Sequence, residues 1–391
     1  AGMVEPMQEL FRKRLSRENF AIETERKGGP KTLRFRELET DDERKAHRIA
    51  YGFTIRSAAC DTIRCILPAS TQANMGLVGN GRFFSGLISK LLSADLKEAN
   101  DLGCAIRQTL NHQIPTFIKR AERNEYQVAI RGKMRRICAD LFRGVAIEKA
   151  SEAVLLIDRE DEYEINLLAS MIFPHTQHPT EQIRRIVRSL PAEKRQEIFS
   201  AYIGERKSKH DRPGRALEYG YPIQFDLVAG FAEYRDLQRH RMLTQQRQEI
   251  GVLLGYTIPD EVREIGRELI VQECFERSEG LYRDLKRAGL EQEAQYAALF
   301  NHFIRWNIGM NVREFGHLAE LRTQRAGHPK YRRLARKMVK LYLQSRPEMQ
   351  SVLQFVDNND YSDGIARAGQ EARTARKSLA TGVFDDMDGG G

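Results

Sequence analysis

The stretch Tyr234–Glu249, YRDLQRHRMLTQQRQE, sets Arg235, Arg239 and Arg241 around His240, directly behind the apolar run FDLVAGFAEY. Guanidinium groups bind phosphate and carboxylate through two parallel charge-assisted hydrogen bonds, and imidazole changes charge near neutral pH. The cluster therefore has the composition of an anion site beside a titratable group. A solvated helix face would have the same composition. On a continuous helix Arg239 and Arg241 lie about 200° apart, so a ligand touching both must wrap the end of the element or take part of its pocket from elsewhere. A second set follows downstream, where MNVREFGHLAELR carries Asn311, Arg313, His317 and Arg322. Arg322 closes an apolar helical pattern, a place where a cation also suits the helix dipole. No metal site is predicted: His175 and His178 form an HxxH in a Pro-flanked loop without a third ligand, and the five cysteines contain no CxxC pair.

The elements that must position these residues are bounded by composition. A chain of 391 residues is long for one core and predicts two domains or a duplicated unit. It is 41% hydrophobic and 30% charged, with no apolar window of membrane-spanning length, so no membrane helix is expected. The opening AGMVEPMQELFRKRL reads as an amphipathic helix of mixed charge and not as a signal peptide, which predicts a cytoplasmic location. The net charge of +9, from 63 Lys and Arg against 54 Asp and Glu, suits anionic partners. Phosphate-bearing small molecules meet that requirement as well as nucleic acid does, and no RNP, zinc-finger or KH sequence is present.

Apolar spacing of three and four predicts helices over Asp41–Leu67, Arg82–Ser93, Asp95–Leu110, Glu181–Leu190, Ala192–Ile203, Glu261–Ala288, Glu291–Trp306 and Tyr331–Gln344. Strands are predicted at Tyr126–Ile130, Ala153–Ile157 and Pro222–Leu227, rich in β-branched or aromatic residues. The class is α+β, mainly helical. GGPK at Gly28–Lys31 reads as a loop. A boundary near residue 150 gives domains 1–150 and 151–372, and residues 373–391, without period and ending in glycines, read as a disordered tail. NGRFFSGLISKLLSADLKEANDLGCAIRQTL, from Asn80, and the segment from Asn311 both open Asn-x-Arg and enter two helices, the pattern of an internal duplication.

Arg239, His240, Arg241 and Thr244 resemble the R-H-R-x-x-S motif of the flavin-dependent thymidylate synthases, the ThyX family, with Thr for Ser. Asn311, Arg313, His317, Leu321 and Arg322 resemble that family's downstream N-x-R-x-x-x-H/N-x-x-x-L-R. The stretches LPASTQANMGLVGNGR, IPTFIKRAER, EAVLLID and ERKSKHDRPGRALEYGY extend the resemblance to its long tandem members, over roughly residues 45 to 357. The resemblance implies two repeats, each with a small sheet packed by helices, the first divergent. It implies FAD held by Arg239, His240, Arg241, Asn311, Arg313 and His317, and dUMP held by Arg235, Arg239 and Arg322. Arg322 would be catalytic, stabilising charge on the uracil while methylene passes from methylenetetrahydrofolate, with reduced FAD as hydride source and NADPH reducing the flavin. Composite sites imply a homo-oligomer, dimer or tetramer. The family motif continues x-N-E-x-S-x-R-Y, where this chain has Gln246, Arg247, Gly251 and Val252. In the first repeat Asn80 and Arg82 remain, but Gly86 and Leu91 stand where His317 and Arg322 do. These departures support a second expectation, a non-catalytic homologue serving nucleic acid or a larger assembly.

Overall fold

The computed structural model describes every residue except 1, 126–127, 130–131, 133–143, 145–151, 158–161, 173–179, 205–214, 219–222, 360–367 and 382–391. Two units divide the chain. One comprises Ala1–Leu67, Ala150–Arg277 and Leu299–Gly391, the other Pro68–Lys149 and Ser278–Ala298.

In the first unit, helix α1 (Val4–Arg14) turns Met7 and Phe11, four residues apart on one face, into the core. An antiparallel hairpin follows, β1 (Ala21–Arg26) against β2 (Gly29–Arg34). Gly28 and Gly29 make the return at φ 101° and 109°, where a Cβ would be strained. GGPK is thus the turn plus the start of β2, and Pro30 is tolerated because β2 pairs on one side only. Helix α2 (Asp41–Ile63) begins at a capping box. Thr40 accepts from the Glu43 N–H at 3.2 Å, and Glu43 Oε2 accepts from the N–H groups of Thr40 at 3.1 Å and Glu39 at 2.9 Å. The Arg26 guanidinium donates to the other Glu43 oxygen at 2.5 Å, and this bond above all holds the Glu43 carboxyl down to about 2.

The central sheet is antiparallel, in the order β3 (Val154–Ile157), β4 (Ile223–Gly230), β6 (Phe303–Met310), β5 (Thr244–Arg247). The helix predicted over Glu291–Trp306 is replaced by a 3-10 turn at Glu293–Ala297 and then β6. Ile304, Trp306, Ile308 and Met310 all point inward with period two, and pairing to β4 on one side and β5 on the other decides between the periods. The helix predicted over Glu261–Ala288 is interrupted at Gly266, φ 65°, between Asp260–Glu264 and Glu268–Arg287. Of Tyr126–Ile130, predicted as a strand, only Val128 and Ala129 are described, and both are helical: the Val128 N–H donates to the Asn124 carbonyl four residues back.

Helix α3 (Phe231–Leu237) leaves β4 directly, and α4 (Val312–Arg322) leaves β6 after a single capping residue. Phe315 of α4 is fully buried, its ring centre 5.6 Å from that of Phe225 in β4 and 4.9 Å from that of Tyr342 in α5 (Pro329–Ser345). Helix α6 (Ala368–Thr381) buries Ala372 and Ala375 against the β1–β2 hairpin and α2. Residues 373–381, predicted as disordered tail, are therefore helical, because alanines three apart give the helix a small face that fits closely; 382–391 lie outside the described residues.

In the second unit, Gly81–Leu92 and Lys97–Asn111 pack around Ile88, Ile118 and Ala121. Asn80 accepts from the Phe83 N–H at 3.0 Å, and Asn311 accepts from the Glu314 N–H at 2.9 Å. Both Asn-x-Arg starts are N-caps, a local requirement that by itself favours asparagine at the two positions. Within residues 1–150 the described strands are β1 and β2 alone, so the mainly helical α+β class stands while a second sheet of the central kind is not found there. No described helix is long and apolar enough to cross a membrane.

Phe315→Ala should lower unfolding free energy by about 3–5 kcal/mol in a denaturant titration; a change below about 1 kcal/mol would contradict its placement between sheet and helix. Folding lowers the Glu43 pKa, so its contribution is complete above the ordinary value of 4.5 and fades as pH falls towards about 2. Glu43→Gln should cost about 1–2 kcal/mol at pH 7 and flatten the stability curve over that acid window. Parallel acid profiles for the two proteins would count against this role.

Candidate active site

The cap at Asn311 fixes where α4 begins and hence which side chains share its face. Glu314 and Arg322 stand eight residues apart, two turns or about 12 Å along the axis, with His317 between them. His240 approaches that face from the turn after α3, whose end is set by the His240 N–H donating to the Leu237 carbonyl at 3.2 Å. The His240 side chain is almost wholly buried. Its Nδ1 lies 2.9 Å from Glu314 Oε1, and Arg322 Nε donates to its Nε2 at 2.9 Å. Because a guanidinium can only donate, Nε2 must accept, which leaves the hydrogen on Nδ1 to be donated to Glu314. One neutral tautomer is thus selected by both neighbours. The His317 ring lies edge-on to His240 at 5.7 Å.

This geometry orients a cation. Arg322 is held through Nε, and its guanidinium carbon sits 5.5 Å from the centre of the Tyr331 ring. Its two Nη groups have no acceptor among the described residues. Arg239 and Arg241 lie past the end of α3, exposed and without an acidic partner among the described residues, so the opposed helix faces expected for them do not arise. Arg235 covers the Phe300 ring at 4.6 Å.

The predicted residues therefore fall into separate groups. His240, His317 and Arg322 meet. Asn311 and Arg313 meet at Glu218 instead: Asn311 Nδ2 donates to the Glu218 carbonyl at 3.1 Å, and Arg313 pairs with the Glu218 carboxylate. Sequence reasoning missed Glu314, Tyr331 and Glu218. Glu314 sits three residues after a capping Asn, where a carboxylate ordinarily serves the cap, and only its distance of eight from Arg322 marks a second use. Arg247, standing where the resembled motif has a carboxylate, donates to the Gln248 carbonyl at 2.6 Å and lies 5.8 Å over the Tyr234 ring, so its charge is accommodated locally. Among the described residues no cluster of three His, Cys, Asp or Glu could hold a metal ion; His175 and His178 lie outside them.

Residues 156–348 match the family model described as thymidylate synthase complementing protein. An UPF0159 protein of Chlamydia muridarum is 32% identical over 332 residues, 83% of this chain and 62% of that protein. One from Thermoplasma acidophilum is 29% identical over 352 residues, 88% of this chain and 68% of that protein. The chain thus spans less than two thirds of the length of the Chlamydia relative. The crystal structure of a UMP/dUMP methylase, PolB from Streptomyces cacaoi, bound with 5-Br dUMP, overlays 54% of this chain and 98% of its own at a TM-score of 0.42 and 16% identity, too loosely to argue from. The family match takes in the RHR segment, the Asn-x-Arg helix and the buried link between them, and over residues 156–348 the chain is similar to the thymidylate synthase complementing proteins.

Proposed function

We propose that this chain is a flavin-dependent thymidylate synthase that methylates the uracil ring of dUMP, with Arg322 as the residue that meets the pyrimidine. The observation that carries this reading is the buried Glu314–His240–Arg322 line, which fixes one edge of a guanidinium and leaves both Nη groups for a ligand. Such a preorganised cation suits a carbonyl oxygen on which negative charge develops during transfer of a carbon unit. His240 keeps the guanidinium from rotating away, and Glu314 keeps His240 in the tautomer that can accept from it. Arg239 and Arg241 have the chemistry to hold the pyrophosphate of FAD, and Arg235 and Arg239 to hold the nucleotide phosphate. Asn311 and Arg313 act on this reading by anchoring the start of α4 to Glu218, and His317 by packing against His240. Bound in its reduced form, having been reduced by NADPH, the flavin would supply a hydride, with methylenetetrahydrofolate supplying the carbon. A dimer or tetramer in which a second copy completes the pocket belongs to the same proposal.

Arg247, a cation in place of the resembled family's carboxylate, favours a second reading in which ligands bind without turnover. The visible spectrum of the purified protein with FAD, before and after dUMP, separates these readings. We expect a flavin band that dUMP perturbs, with Arg322→Ala weakening dUMP roughly tenfold to a hundredfold while retaining flavin. Arg239→Ala combined with Arg241→Ala should release flavin from a folded protein. Failure to reconstitute with FAD, or dUMP binding indifferent to Arg322, would sink the proposal. Binding of both without dTMP formation in the presence of methylenetetrahydrofolate and NADPH would establish the non-catalytic reading.

A further inference from the structure

In the second unit a wide cleft of about 1260 Å³ lies among the helices Gly81–Leu92 and Lys97–Asn111 and the short helix Pro115–Ile118. It is larger than the roughly 300–1,000 Å³ of an ordinary small-molecule pocket. Arg82, Arg107, Lys119 and Arg120 line it, and none of the four has an acidic partner among the described residues. One carboxylate, Glu122, lines it as well and pairs with none of them. Arg82 stands in the same Asn-x-Arg pattern as Arg313, but Arg313 is neutralised by Glu218 and Arg82 keeps its charge. The imbalance is regional: residues 68–149 hold 13 Lys and Arg against 7 Asp and Glu, which leaves 50 against 47 for the rest of the chain. Two further features shape the cleft. Phe117 lines it, 45% exposed, its ring laid against Gly81, where a Cβ would come within 2.5 Å of the ring. Gly86 lines it four residues after Arg82, on the same helix face, and a Cβ there would meet nothing within 4 Å. A glycine inside a helix weakens it, and no close packing at Gly86 calls for one; what it provides is an open floor.

We infer that this cleft binds single-stranded nucleic acid, with Arg82, Arg107, Lys119 and Arg120 along the phosphates and Phe117 against an unpaired base. Four uncompensated cations drawn from separate elements suit a run of phosphates better than a single one. An exposed aromatic ring adds nothing to the grip on a phosphate backbone, but it gives a base that is free of a duplex a face to stack on. A duplex would use the cations and leave the ring idle. An acidic peptide would do the same. Single strands of DNA and RNA share the chemistry that the cleft recognises and differ in the 2′-hydroxyl. The inference uses none of the residues of the His240–Arg322 site and does not rest on the thymidylate synthase reading.

The test is fluorescence anisotropy of a labelled oligothymidylate and a labelled oligouridylate with the full chain at about 50 mM salt. A duplex of the same length and an unlabelled oligoglutamate serve as competitors, and FAD and dUMP binding are measured on the same samples. At least one strand should bind, more tightly than the duplex, and the tighter of the two identifies the sugar. Its log affinity should fall with log salt at a slope of about −2 to −3, the value for four phosphate contacts on a single strand. Arg107→Glu combined with Arg120→Glu should weaken the strand at least tenfold and flatten that slope. Phe117→Ala should weaken it about fivefold or more with the slope unchanged. Gly86→Tyr, which fills the floor from an exposed position, should also weaken it severalfold and keeps the test open if loss of the Phe117 ring disturbs the fold. Flavin and dUMP binding should stay the same in every variant. Failure of both strands to bind, equal affinity for the duplex, displacement by oligoglutamate as readily as by unlabelled strand, or affinity unmoved by the arginine pair or by both Phe117→Ala and Gly86→Tyr would overturn the inference. Loss of flavin or dUMP together with the strand would assign the cleft to the nucleotide site and overturn it as well. Strand binding by a protein that takes neither flavin nor dUMP would support it and count against the thymidylate synthase reading alone.

Discussion

The antiparallel pairing of β4 with β6, from Ile223 opposite Met310 to Gly230 opposite Phe303, is the constraint on which the rest of the candidate site depends. It makes α3 and α4 leave the sheet at opposite ends, so a site built from both requires one helix to travel back. Helix α4 does so, with Phe315 between Phe225 and Tyr342, and it returns Arg322 to the end where α3 hands the chain to His240. A sheet that paired these strands in parallel would carry both motif segments away on the same side and would require long crossovers to do it. The chemistry therefore rests on packing at one phenylalanine as much as on any charged residue.

The buried line from Glu314 through His240 to Arg322 joins a carboxylate to a guanidinium through a neutral ring. Direct contact would let the two charges satisfy each other, and the guanidinium would have less left to offer a ligand. With imidazole between them, the charges remain apart while every hydrogen along the line is assigned. The cation keeps its reach, and its direction is set from inside the protein.

His240 and Arg322 were legible in the sequence because a cation cluster after an apolar strand and a cation at the end of an apolar helix are both one-dimensional patterns. Asn311 and Arg313 were legible as a motif, but not as the cap and the Glu218 pair that they form. Glu314 was hidden by its position, since a carboxylate at the start of a helix already has an ordinary use. Strand β6 was misread because its apolar residues fit both periods until the neighbours on either side are known. The hairpin at residues 21–34 was missed because its outer strand is mainly polar and contains a proline, and pairing, not composition, makes it a strand.

Helix α6 sets a condition on the order of folding. Ala375 packs with Phe20 and Ile22, more than three hundred residues earlier in the chain. Leu38 and α2 can cover part of the hairpin's apolar face early in synthesis, but the part that Ala375 covers stays open until the chain has been made as far as that residue. Contacts of such long sequence separation close late and slowly. Helix α6 thus acts as the clasp that completes the cover over the hairpin and α2.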